Sequence, residues 1–229
     1  MSLPAVKTND MESDTSSSDI ARNTETTALT KQTQQLSDGK KQGEQEKKKK
    51  KKTRSVSVTV GTTGGSERVA GLIASLRSMD DVVNSVNFRE IPYNVRDMDH
   101  FEFDDVDVFI LCHSITNRRL SITDVSDALY DKLLLRACQK LGKKNVIIVG
   151  YDFKDNDLQP NVLASKLNAV RIQQPTACEK SSAIVFAGQC ATSPPGLPDV
   201  MLEKLRSSLQ ASSPRKSGCS PCSCFCILL

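Results

Sequence analysis

Two uninterrupted apolar runs, VDVFILCHS (residues 106–114) and NVIIVG (residues 145–150), restrict the folds open to this chain more than any other feature. A strand with one wet face alternates apolar and polar side chains. A run that is apolar at nearly every position needs cover on both faces, as a strand has inside a parallel sheet between two layers of helices. The neighbouring segments predict such layers. SVSVTV (residues 55–60) alternates as a strand does, and the Gly-rich turn GTTGGSER follows it. Residues 67–79 then place Val69, Leu72, Ile73 and Leu76 on one helical face. Residues 82–91 contain a second strand, and Pro92 with the acid-rich stretch 97–105 predicts a loop or short helix. Asp124 is placed to cap a helix running to about residue 141, with Ala128, Leu129, Leu133, Leu134 and Ala137 inward and Gly142 ending it. A helix over 161–169, a last strand over 182–188 and a closing helix over 198–210, opened by Pro198, complete the order. Strands alternating with helices predict an α/β fold. It is a three-layer, mainly parallel sheet with helices on both faces. With 4% aromatic residues and no Trp, its core should be aliphatic.

The domain limits follow from composition. Residues 1–54 hold no Phe or Tyr and few large apolar side chains, so a disordered arm is expected there. It closes in the polybasic run KKKKKKTR (residues 47–54), which suits a solvated spacer, an anionic membrane surface or a nuclear-import signal. Residues 55–210 form the α/β domain, and 211–229 a tail rich in Ser, Pro and Cys. The arm carries 12 basic and 8 acidic side chains, the domain 17 and 19, and the tail 2 and none. A mildly acidic body with positive ends argues against nucleic acid as a partner and favours a membrane surface. Residues 1–20 contain no apolar run, and Ser2 excludes N-myristoylation, so an intracellular chain with reduced thiols is expected. Cys112, Cys138, Cys178 and Cys190 then read as small buried hydrophobes.

The first strand, Gly-rich turn and helix raise the question of a phosphate-binding loop, G-x-x-x-x-G-K-[ST]. From Gly61 the frame runs through Gly64 and Gly65 to Ser66 at the second Gly position, Glu67 at the Lys position and Arg68 at the Ser/Thr position. Glu67 reverses the charge that would meet a phosphate, at a cost on the order of several kcal/mol where the effective dielectric is near 20. Arg68 cannot ligate magnesium. Further on, Val149-Gly150 is followed by Tyr151, Asp152, Phe153, Lys154 and Asp155, and Cys190-Ala191-Thr192 precedes the last helix. In layout and in these landmarks residues 55–210 resemble the Ras-type small GTPases. In that family Val-Gly leads to Asn-Lys-x-Asp, and a Ser-Ala-Lys loop precedes the last helix. Here the Asn is missing, an Asp falls one place late, and only Ala191 of the later loop matches. The family's Asp-x-x-Gly switch has no counterpart before VDVFILC, and only about 26 residues separate the first helix from that strand. The resemblance therefore implies a degenerate, pseudo-GTPase-like protein without competent GTP hydrolysis and with no cofactor. An active guanine-nucleotide switch with a divergent loop, or a small-molecule enzyme on a flavodoxin-like sheet, are the alternatives.

Three other groups of residues suggest chemistry. Cys112 and His113 are adjacent, but neighbours on a strand point to opposite faces, so a dyad is not expected. Asp104, Asp105 and Asp107 lack the spacing and Gly of a calcium loop and read as a solvated acidic segment. Asp152 lies just past a strand's carboxyl end, where ligand sites of α/β folds gather.

The tail gives the sharpest functional signal. Of eight cysteines, four fall in CSPCSCFCILL (residues 219–229). CILL matches the C-a-a-X pattern, with a final Leu that favours geranylgeranyl on Cys226. One prenyl chain anchors reversibly, so Cys219, Cys222 and Cys224 are expected as palmitoyl acceptors, with Arg215 and Lys216 adding electrostatic attraction. Phosphorylation of Ser213 would weaken that attraction. Four thiolates could instead hold zinc, but structural zinc sites usually separate two ligand pairs by a longer loop. The expected location is the cytoplasmic face of a membrane, the plasma membrane first, with protein partners that the sequence does not name.

Overall fold

The computed structural model describes residues 55–116 and 119–214. The expectations for the arm (1–54, with its lysine run) and for Cys219, Cys222, Cys224 and Cys226 lie outside the described residues. Five strands form one sheet: β1 (Val56–Thr62), β2 (Val83–Glu90), β3 (Val108–Ser114), β4 (Val146–Tyr151) and β5 (Ala183–Phe186). Every pairing is parallel and the order is β2-β1-β3-β4-β5. This is the order of the flavodoxin-like doubly wound sheet, one of the two layouts expected. Around it lie α1 (Ala70–Arg77), α2 (Val95–Met98), α3 (Asp131–Leu141), α4 (Pro160–Gln173), α5 (Pro175–Lys180) and α6 (Asp199–Ala211). Among the described residues no helix is long and apolar enough to cross a membrane.

The two apolar runs occupy the centre, as their composition requires. All seven residues of β3 and all six of β4 are buried. At about 1.5–3 kcal/mol for each large aliphatic side chain, they dominate the stabilisation of the sheet. The edge strand β2 faces solvent at Asn84, Ser85 and Asn87 and carries few apolar residues. The core is mostly aliphatic but not wholly so. Phe101, Phe103 and Phe109 pack ring against ring with centroids 5.1–5.6 Å apart, and Tyr130 and Tyr151 are fully buried.

Several local expectations need correction. The helix predicted after Asp124 begins seven residues later, at Asp131. Asp124 takes a left-handed conformation (φ 62°) and accepts bonds from the Thr176 N–H at 2.8 Å and the Thr176 hydroxyl at 2.6 Å. It thus serves the first turn of α5, 52 residues away, rather than the next helix. Its carboxyl lies below the usual range: burial acts to raise it, and the bonds from Thr176 and Thr123 outweigh that. The helix predicted over 161–169 extends to Gln173, and α5, not foreseen, follows after Gln174. Cys112 and Cys190 are buried, but Cys138 and Cys178 are only half-buried, because their helices lie at the surface. The acidic segment is solvated as expected, with Asp104 and Asp105 exposed, and it also pairs locally: Asp105 with Arg89, Asp104 with Lys140 at 3.5 Å, while Asp107 accepts from the Ser57 N–H at 3.2 Å.

One buried side chain fixes the irregular segment between β3 and α3. The Gln174 carbonyl accepts from the Ile122 and Thr123 N–H groups at 2.8 and 3.1 Å, and its amide donates to Leu120 O. Gln174→Leu keeps the volume and strands two buried donors. The expected loss is about 2–4 kcal/mol at roughly 1–3 kcal/mol per unsatisfied group, read from the urea midpoint. A loss under about 0.5 kcal/mol would show that solvent already reaches these amides.

Candidate site at the carboxyl edge of the sheet

Because all five strands are parallel, their carboxyl ends share one edge, and the connections leaving β1 and β3 part in opposite directions there. Doubly wound folds bind ligands in the crevice this creates. A cleft of about 690 Å³ opens on this edge, lined by Arg68 after β1, Thr116 after β3, Asp152 and Lys154 after β4, and Gly188 and Thr192 after β5. Asp152 is its best-held polar group. Its carboxylate oxygen accepts from the Ser114 hydroxyl and from the Thr116 hydroxyl at 3.3 Å, and its N–H donates to Gly188 O at 3.0 Å. Its backbone is left-handed, φ 70°. That costs a non-Gly residue on the order of 1 kcal/mol and persists because these bonds hold it. Asp152 thus has the partners that sequence alone did not supply. Ser114 and Thr116 were missed as site residues; the available signal was hydroxyl side chains directly past the carboxyl end of a central strand.

The floor beneath the cleft is neutral. The Thr62 and Tyr151 hydroxyls share a 3.4 Å bond, and burial, only partly opposed by this bond, pushes the Tyr151 phenol up. Burial, then proximity to Cys190, raises the Cys112 thiol well above its ordinary value. Burial, then the Asp152 charge, pushes Cys190 up to about 12. Both thiols stay protonated at neutral pH and are poor nucleophiles. His113 is also buried. Its Nε2 lies 3.0 Å from the Arg119 carbonyl, to which it can only donate, which leaves Nδ1 to accept from the Tyr130 hydroxyl at 3.3 Å. Among the described residues no three His, Cys, Asp or Glu side chains group to hold a metal ion.

The Gly-rich positions are arranged differently from a phosphate cradle. Gly61 belongs to β1, and a Cβ there would press on the Phe109 ring at 2.7 Å, so its missing side chain makes room for packing. A Cβ on Gly64 would meet Arg68 Cδ at 2.7 Å, and one on Gly65 would overlap the Glu67 carboxylate. The chain's own acidic group therefore lies against the turn. Ser66 opens a 3-10 turn that runs through Glu67 and Arg68 into α1. The first amides of α1 are also taken: Gly71 and Leu72 N–H both donate to Cys190 O, at 2.8 and 3.2 Å. A phosphate at a helix start uses such amides. Ala191 follows Cys190 on the exposed side of the same loop. No protein-family model matches the chain, and comparison with curated proteins finds no match.

Proposed function

We propose that this protein is a lipid-anchored, catalytically degenerate small-GTPase-like binding module that does not hydrolyse GTP and recognises a partner through the cleft at the carboxyl edge. The observation that carries the reading is the Cys190 carbonyl on the Gly71 and Leu72 amides, with Glu67 against Gly65. A triphosphate on the loop from Gly61 to Arg68 would meet the Glu67 carboxylate, and one drawn to the start of α1 would have to displace the Cys190 carbonyl. The cleft offers two carboxylates, the held Asp152 and Asp155, beside two cations, Arg68 and Lys154, which suits a polar ligand carrying both signs of charge. The CILL tail supports the anchor.

The test is nucleotide retention by the full-length chain. GTP and GDP with magnesium are expected to leave its thermal midpoint unchanged, and magnesium-dependent binding at micromolar concentration or tighter would overturn the reading. A second reading, a small-molecule enzyme, is favoured by the strand order and the position of the cleft. Turnover lost in Asp152→Ala would support it.

Independently of ligand, Asp152→Ala is expected to cost about 1–2 kcal/mol, since it removes the shared acceptor and leaves a β-carbon at positive φ. Asp152→Asn should cost less, because Asn tolerates that conformation and keeps an acceptor oxygen. Equal losses in urea unfolding would contradict this account of the position.

A further inference from the structure

We infer that the amino edge of the sheet beneath β4 and β5 is a membrane-facing surface, matched to an anionic lipid headgroup layer. The inference deepens the proposed function and rests on its reading of a membrane-tethered module. In a parallel sheet the amino ends of the strands share the edge opposite the cleft, and the carboxyl ends of the covering helices return to it. Cations collect there under β4 and β5. Lys143 and Lys144 are exposed just before β4, and Lys180 ends α5, two residues before Ser182, whose N–H donates to Val146 O at the start of β4. Burial raises the Cys178 thiol on α5, the fields of Arg171, Lys143 and Lys204 oppose that rise, and Asp124 adds to it.

The chain leaves the domain at this patch. The Asn145 side chain clamps Ser213 at both backbone groups, accepting from its N–H at 3.0 Å and donating to its carbonyl at 3.0 Å. The Ser212 hydroxyl donates to Lys144 O at 2.9 Å. The described chain thus ends, at residue 214, beside Lys144, and Arg215 and Lys216 come next in the sequence. Ser55, which follows the lysine run, lies at the amino end of β1 on the same edge.

The edge is not basic throughout. Asp80 and Asp81 precede β2, and Asp104, Asp105 and Asp107 precede β3. Asp81 pairs with Arg206, Asp104 with Lys140 and Asp105 with Arg89. Glu179 is the acidic side chain beside Lys180. The contact is accordingly placed under β4 and β5, and it turns the cleft away from the bilayer by the length of a strand, about 20 Å for six residues.

The test uses the full-length chain made in bacteria, without isoprenoid, and sedimentation with vesicles of phosphatidylcholine alone or with about 30% phosphatidylserine. The wild type is expected to bind the anionic vesicles selectively. Lys143→Glu/Lys144→Glu is expected to bind them about tenfold more weakly or worse, at roughly 1 kcal/mol lost per lysine and more for reversal. Arg119→Glu/Lys132→Glu, an equal charge change at the carboxyl edge, should stay within about twofold of wild type. The inference is overturned if the first variant binds like wild type, which would leave the lysine run as the whole contact. It is also overturned if both variants weaken equally, or if wild type ignores phosphatidylserine. Failure of the anchor would appear elsewhere, as absence of isoprenoid on Cys226 with these vesicle results intact.

Discussion

Gly71→Ala is expected to destabilise the domain by about 3 kcal/mol or more, although Ala for Gly inside an exposed helix normally stabilises by about 1 kcal/mol. The sign reverses because the loop between β5 and α6 lies directly on α1. A Cβ at Gly71 would overlap the Thr192 carbonyl oxygen and come within 3.0 Å of Cys190 O. These are backbone atoms that cannot rotate away. Relief requires the loop to lift, which breaks the bonds from Gly71 and Leu72 to Cys190 and moves Thr192 in the wall of the cleft. Urea unfolding of the full-length chain measures the loss. A variant as stable as wild type would mean that the loop does not rest on the helix, and the closed helix start would go with it. Gly142, by contrast, sits at φ 82° and ψ 148° with nothing near its missing Cβ, so Gly142→Ala should lose about 1–3 kcal/mol, from backbone strain alone.

The contrast between these glycines marks what could be read from the sequence. Gly142 was legible because its role is local: it ends α3 after an amphipathic stripe whose Leu133, Leu134 and Ala137 are buried as the pattern requires. The central strands were legible for the same kind of reason, since an apolar run reports burial whatever its neighbours are. Gly71 was not legible, because what forbids a side chain there is a carbonyl 121 positions later. Asp124 shows the same limit. Its type suits a cap, but the helix it serves is chosen by packing across 52 residues rather than by adjacency. At the cleft, Asp152 could be placed past the end of a strand, but its partners Ser114 and Thr116 come from the neighbouring strand and its loop. Which strand is the neighbour depends on the order β3-β4. No periodicity in the sequence encodes that order.

Cys226→Ser is expected to abolish incorporation of a clickable isoprenoid and to move most of the protein from the membrane to the soluble fraction of cells. The size of the effect follows from the order of the proposed modifications. A single prenyl chain holds a protein only reversibly, so durable residence needs a second chain or a basic surface. Cys219, Cys222 and Cys224 can receive acyl chains once the tail has reached a membrane, so loss of Cys226 removes the first chain and access to the others. Replacing the three upstream cysteines with Ser should therefore leave isoprenoid labelling intact and reduce membrane residence only in part. Leu229→Ser separates the recognition pattern from a general effect of thiol loss. It keeps every cysteine and changes only the final residue, and the label should shift from geranylgeranyl toward farnesyl. Equal membrane association of wild type and Cys226→Ser would sink the anchor. In that case the basic patch at Lys143 and Lys144 and the lysine run would have to carry the attachment by charge alone, and raising the salt to about 0.5 M, where the Debye length falls to about 4 Å, would release the protein.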